Sequence, residues 1–140
     1  MSFVRVGQPL RLLNSMHEHV DVAHAPIRSQ FFHVMVSPDS TREVAKPFDK
    51  SESLPCQVSS NLHSWQKAFL LGLDHPFAAI TAADGRFEIR DLPTGEHHFT
   101  VWHERRGYLN KDLVLRVEYD KVSEVELKYS AEQLERRVKP

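Results

Sequence analysis

The chain has 140 residues, 41% of them apolar, and a formal net charge of -1 at pH 7. It is long enough to bury about 68% of its unfolded surface as one domain or two small fused halves, which excludes a disordered polymer. Lys and Arg are scattered and Cys56 is the lone cysteine, so neither a nucleic-acid or anionic-membrane footprint nor an intrachain disulfide is expected.

No apolar run approaches the ~20 residues that cross a bilayer, so no membrane insertion is expected. Met1-Ser2-Phe3-Val4-Arg5 has no basic segment, apolar core and cleavage site. It is therefore not a secretory signal, and the expectation is either a cytoplasmic protein or a leader upstream of this chain.

In chain order, short apolar stretches alternate with turn signals, and long helical periodicity is absent. Leu10 to Leu13, after Gly7 and Pro9, reads as a strand, and His19 to Ala23 alternates as another. Gln30 to Val36 is rich in β-formers and ends in the turn Pro38-Asp39-Ser40. A strand is expected around Val44 and another at Pro55 to Val58, and Asn61 to Gln66 reads as a loop or single helical turn. Ala68 to Leu73 is a continuous apolar run and reads as a strand buried on both faces.

Ala79 to Thr81 and Arg86 to Ile89 flank Asp84-Gly85 as a hairpin, because glycine accepts the positive φ of a tight turn. Leu92 to Gly95 is a further turn, and Glu96 to His103 a long alternating strand. Val114 to Val117 and Val122 to Tyr129 read as the last pair, and Ala131 to Val138 as a short exposed helix or a frayed terminus. About nine to eleven closely spaced strands without βαβ alternation predict an antiparallel sandwich or barrel.

The stretch from Ser60 to Gly107 resembles bacterial cupredoxin-like proteins of the plastocyanin-like or methylamine-utilisation type. Their Cys-Asn-Ile-His-Pro-Trp-Met segment reads here Ser60-Asn61-Leu62-His63-Ser64-Trp65-Gln66. Asp74-His75-Pro76-Phe77-Ala78-Ala79-Ile80-Thr81, the Asp84-Gly85 turn, Leu92-Pro93-Thr94-Gly95 and Trp102-His103-Glu104 follow in the family's order. Upstream the agreement is looser, with Asn14-Ser15-Met16 and His19-Val20 in the corresponding places. Ile80 to Trp102 also resembles the small transthyretin-like modules called carboxypeptidase regulatory-like. The resemblance implies an all-β Greek-key sandwich or barrel over residues 1–130, with a ligand-loop half at 1–73, a transthyretin-like half at 74–130 and a charged tail at 131–140. It also implies an exported, periplasmic setting.

A blue-copper site needs two histidines and a cysteine thiolate, with a weak axial ligand. The resemblance puts His19 and His63 at the histidine positions, Gln66 at the axial position and Ser60 where the thiolate belongs. Serine is a poor copper ligand, whereas glutamine is a known axial substitute. Cys56 lies four strand residues before Ser60, about 13 Å away, too far to stand in for a ~2.3 Å metal–sulfur bond. Two histidines could still hold copper, or less readily zinc, if His17, His24 or His33 supplied a third donor; otherwise His19 and His63 hydrogen-bond within a polar end of the barrel. His75, fixed as extended by Pro76, reads as structural.

No nucleophile elbow, phosphate loop or zinc-ribbon spacing is present, so no enzyme is expected. The one exception that composition offers is a hydrolase-like cluster of His97, His98, His103 and Glu104. The reading is thus a cupredoxin-like binding module with a degenerate type 1 copper site, or else a copper- or zinc-binding protein using the retained histidines. Little chain precedes Gly7, so Phe3 to Val6 either completes the barrel or leaves an open edge. An open edge would template pairing with a second copy or a partner protein.

Overall fold

The computed structural model describes residues 1–135. It is nearly all-β, 41% strand and 3% helix, as expected for a sandwich or barrel protein. Two compact units divide between Phe87 and Glu88, so the Asp84-Gly85 turn belongs to the first.

The first unit holds β1 (Ser2–Arg5), β2 (Leu10–Asn14), β3 (Val20–His24), β4 (Phe32–Val36), β5 (Ser40–Val44), β6 (Cys56–Ser59) and β7 (Lys67–Leu73). Five of them form one sheet in the order β1-β7-β6-β3-β4, while β2 and β5 form a separate antiparallel pair. The pair β1–β7 is parallel, in an otherwise antiparallel sheet. Such a pair cannot be closed by a tight turn, and the long chain between Arg5 and Lys67 makes the crossover. The Phe3–Val6 segment thus places β1 at one end of the sheet, with β4 at the other.

Strand alternation gives the sheet an apolar face. Val20, Val22 and His24 of β3 share it with Phe32, Val34 and Val36 of β4, Cys56 and Val58 of β6, and Leu70 and Gly72 of β7. The buried apolar side chains among the described residues are Val4, Val36, Pro47, Phe48 and Cys56, all in this unit. Phe48, on the segment between β5 and β6, lies against Gly72. The apolar run of β7 is half-buried at Phe69, Leu70, Leu71 and Leu73 and fully buried only at Gly72. It is an inner strand, but the layers over it are incomplete.

A Cβ built on Gly72 would stand 2.5 Å from Cδ1 and Cγ of Phe48. Both partners are buried, so the clash cannot be relieved into solvent. Gly72→Ala is expected to cost about 2 kcal/mol, in the range for overpacked cores. Urea unfolding followed by Trp65 fluorescence in a Trp102→Phe background would show a lower midpoint at unchanged slope.

The second unit is built on β8 (Gly95–His103) and β9 (Gly107–Val117), an antiparallel pair with irregular register between Phe99 and Trp102. Gly107, at φ 81, closes the short connection. Two sequence expectations differ here. Val122 to Tyr129 carries no strand, because Val114 to Val117 pairs with the start of β8 instead. A hairpin extended from a three-residue connection adds its rungs at little loop-closure entropy. The Asp84-Gly85 turn forms, with Ala82 N–H donating to Arg86 O at 2.8 Å and Gly85 at φ 82, but no strand flanks it. The tail starts as one helical turn, α1 (Ala131–Leu134), with a Ser130/Gln133 capping box; the expected remainder at 136–138 lies outside the described residues.

Candidate functional site

Three buried polar side chains set the geometry of the first unit. Asn14, at the end of β2, donates from its amide to the carbonyls of Glu18 (2.8 Å), Ser37 (3.0 Å) and Val36 (3.2 Å). Its Oδ1 accepts from Met16 N–H at 2.9 Å. These bonds pin the 15–19 loop, which carries Met16, Glu18 and His19, to the end of β4.

Asp21, the second residue of β3, has a side chain 2% exposed. Its carboxylate accepts from Ser60 Oγ (2.5 Å), Asn61 N–H (2.9 Å), Leu62 N–H (2.9 Å) and His33 Nε2 (2.8 Å). Burial alone would raise its pKa. The hydrogen bonds from Ser60, Leu62, Asn61 and His33 outweigh it and hold the group well below the usual carboxylate range. Ser60 Oγ also accepts from His63 N–H at 2.9 Å. The loop after β6 is therefore folded around one buried anion, with Gln66 N–H returning to His63 O at 2.8 Å.

His63 is buried, and its Nε2 donates to Glu18 Oε1 at 3.0 Å. Its Nδ1 has no hydrogen-bond partner. With the proton on Nε2, Nδ1 presents a bare lone pair. Trp65 meets the His63 ring edge-on at 5.2 Å and is 73% exposed. Gln66 Nε2 donates to Met16 Sδ at 3.4 Å, linking the two loops. A groove of about 360 Å³ runs beside them, lined by Val20, Val22, Val58 and Ala68 with Trp65 and Gln66 at its rim.

These residues do not fit a type 1 copper ion. The Ser60 oxygen, where the resemblance would put the thiolate, is fully engaged by Asp21 and His63 N–H. Gln66 contacts Met16, and His19 is exposed outside this network. The candidate third donors are occupied elsewhere: His17 Nδ1 bonds Asp39 at 2.8 Å, His33 bonds Asp21, and His24 lies in the apolar core. Cys56 donates to Leu54 O at 3.4 Å, and burial pushes its thiol up, away from the thiolate a metal needs. No group of three or more His, Cys, Asp or Glu side chains forms a metal-binding set among the described residues.

The histidines of the other segments are engaged separately. His75 Nδ1 accepts from Phe77 N–H at 3.2 Å, and the two rings stack. His97 donates to Pro93 O at 2.6 Å, His98 to Asp112 at 2.6 Å, and His103 Nδ1 accepts from Arg105 N–H at 3.4 Å. Asp112, first by its hydrogen bond and then by its charge, raises the pKa of His98, with Glu96 adding to it.

Sequence reasoning missed Asn14, Asp21 and Glu52 as anchors. Glu52 is buried and accepts from the N–H groups of Ile27 (3.1 Å), Arg28 (2.9 and 3.0 Å) and Ser29 (2.9 Å). The available signal was a lone acid between two apolar residues, Val20-Asp21-Val22, in an alternating strand. The chain matches no family model, no curated protein and no solved structure.

Proposed function

We propose that the chain is a binding module on a cupredoxin-like β scaffold, its copper end rebuilt as a hydrogen-bonded anchor, and that it does not carry electrons as a blue-copper protein. The observation that supports this reading is Ser60, whose hydroxyl spans Asp21 and His63 N–H where a thiolate would be needed. An anion held by four donors fixes loop geometry, as a preorganised binding surface requires. The groove beside the exposed Trp65 and the sheet edge at β1 are the surfaces such a module would use for a glycan, a peptide, a partner protein or a second copy.

A second reading rests on the unpartnered Nδ1 of His63. Glu18 on Nε2 orients that ring as carboxylates orient metal-bound histidines, so copper or zinc could be held without a thiolate. Titrating the apo chain with Cu(II) and with Zn(II), by calorimetry alongside the visible spectrum, separates the readings. No intense blue copper–thiolate absorption and no tight binding are expected. A blue band would overturn the first reading. One-to-one binding without that intense band, lost in His63→Ala and His19→Ala, would establish the second.

A further inference from the structure

His24 closes β3 at the centre of the first unit's core and is 0% exposed. Its ring lies 5.2 Å from that of Phe32 and 5.0 Å from that of Phe48. Neither ring nitrogen has a hydrogen-bond partner. A neutral imidazole in that place already leaves one N–H unmet. An imidazolium would leave two, with a full charge among phenyl rings, and that is the costlier burial by far. No feature of the candidate binding site uses this histidine.

We propose that the first unit carries an acid-triggered opening device centred on His24, in which proton uptake by the ring parts the Phe48 segment from the sheet. The inference is independent of what the module binds. Gly7 N–H to Phe48 O and Glu52 N–H to Gly72 O, both 2.9 Å, hold that segment down. Beside them Ser29 Oγ donates to Lys50 O at 3.2 Å and accepts from Lys50 N–H at 3.4 Å, next to the Glu52 carboxylate clamp on Ile27 to Ser29. Parting it admits water to the ring without breaking the ladder between β3 and β4. The charged group acting on the ring is Glu52, and the thiol of Cys56 shares the ring's sheet face. Asp21 and His33 bond each other on the opposite face, and Lys46, Asp49 and Lys50 of the Phe48 segment are exposed.

Burial holds His24 below the ordinary histidine value, and the Glu52 charge offsets only part of that. A group depressed in the fold contributes its full stability above its unfolded value of about 6.5 and loses it as pH falls towards the folded one. One proton shifts the closed–open equilibrium by about tenfold per pH unit within that window.

Cys56 is the chain's one cysteine, buried on the same face, and reports the opening directly. The full chain would be labelled with an aromatic disulfide reagent that reacts with thiols in acid, each rate normalised to a free thiol at the same pH. Between about pH 7.5 and about pH 5.5 the normalised rate is expected to rise about tenfold, and to stay flat in His24→Leu. A flat rate in the wild type, or the same rise in His24→Leu, overturns the proposal. Should His24→Leu not fold, the His24 ring resonances of the wild type decide. A neutral ring in the closed form at about pH 5.5 supports the device, and a ring titrating near 6.5 with unchanged labelling overturns it.

Discussion

Replacing Asp21 by alanine is expected to destabilise the first unit by about 4 kcal/mol, the cost of removing one partner from a buried charged network. The size follows from the four donors on that carboxylate. Without it, Ser60 Oγ, Asn61 N–H and Leu62 N–H lose their acceptor inside the protein, and each unmet buried donor costs about 1–3 kcal/mol. Asp21→Asn is no rescue, because both carboxylate oxygens accept and the amide NH2 would face an N–H or O–H donor. Urea unfolding read from Trp65, five residues beyond Ser60, would measure both variants. A change below about 1 kcal/mol in Asp21→Ala would show that the carboxylate is not the anchor.

The same group sets an acid limit. Its pKa is depressed in the fold, so its contribution is complete above the unfolded value of about 3.9 and drains away as pH falls below it. In Asp21→Asn that loss below about pH 4 should disappear while the loss assigned to His24, starting near 6.5, remains. The two windows lie far enough apart to be resolved in one acid titration.

What the sequence revealed was what is local. Alternation over His19 to Ala23 and Glu96 to His103, and the β-forming residues of Gln30 to Val36, marked strands because side-chain period and composition are properties of the segment itself. Choice of partner is not local, which is why Val122 to Tyr129, with the same alternation, stands outside the β8–β9 pair. The anchors were hidden for a related reason. Asp21 looks like a solvent-facing acid in its own strand, and only the return of Ser60, 39 residues later, buries it. His24 was within reach: it continues the apolar positions Val20 and Val22, and the same alternation that marked β3 sets its ring on their face. Reading it as one more possible metal donor weighed its chemistry above its position.

Glu52 couples the β3–β4 connection to β7. Its carboxylate gathers the N–H groups of Ile27, Arg28 and Ser29, which connect β3 to β4, while its own N–H bonds Gly72 O of β7. Glu52→Ala strips three backbone donors of one acceptor and is expected to cost about 3 kcal/mol in urea unfolding. Glu52→Gln keeps one oxygen and should cost less than the alanine variant. Its second effect is on His24. The Glu52 charge favours the protonated ring, so its removal pushes the folded-state pKa of His24 further down. The acid-sensitive window should then open at the same pH of about 6.5, which belongs to the unfolded chain, but extend to lower pH before levelling. An onset that moved with the substitution would mean that another group, and not His24, takes up the proton.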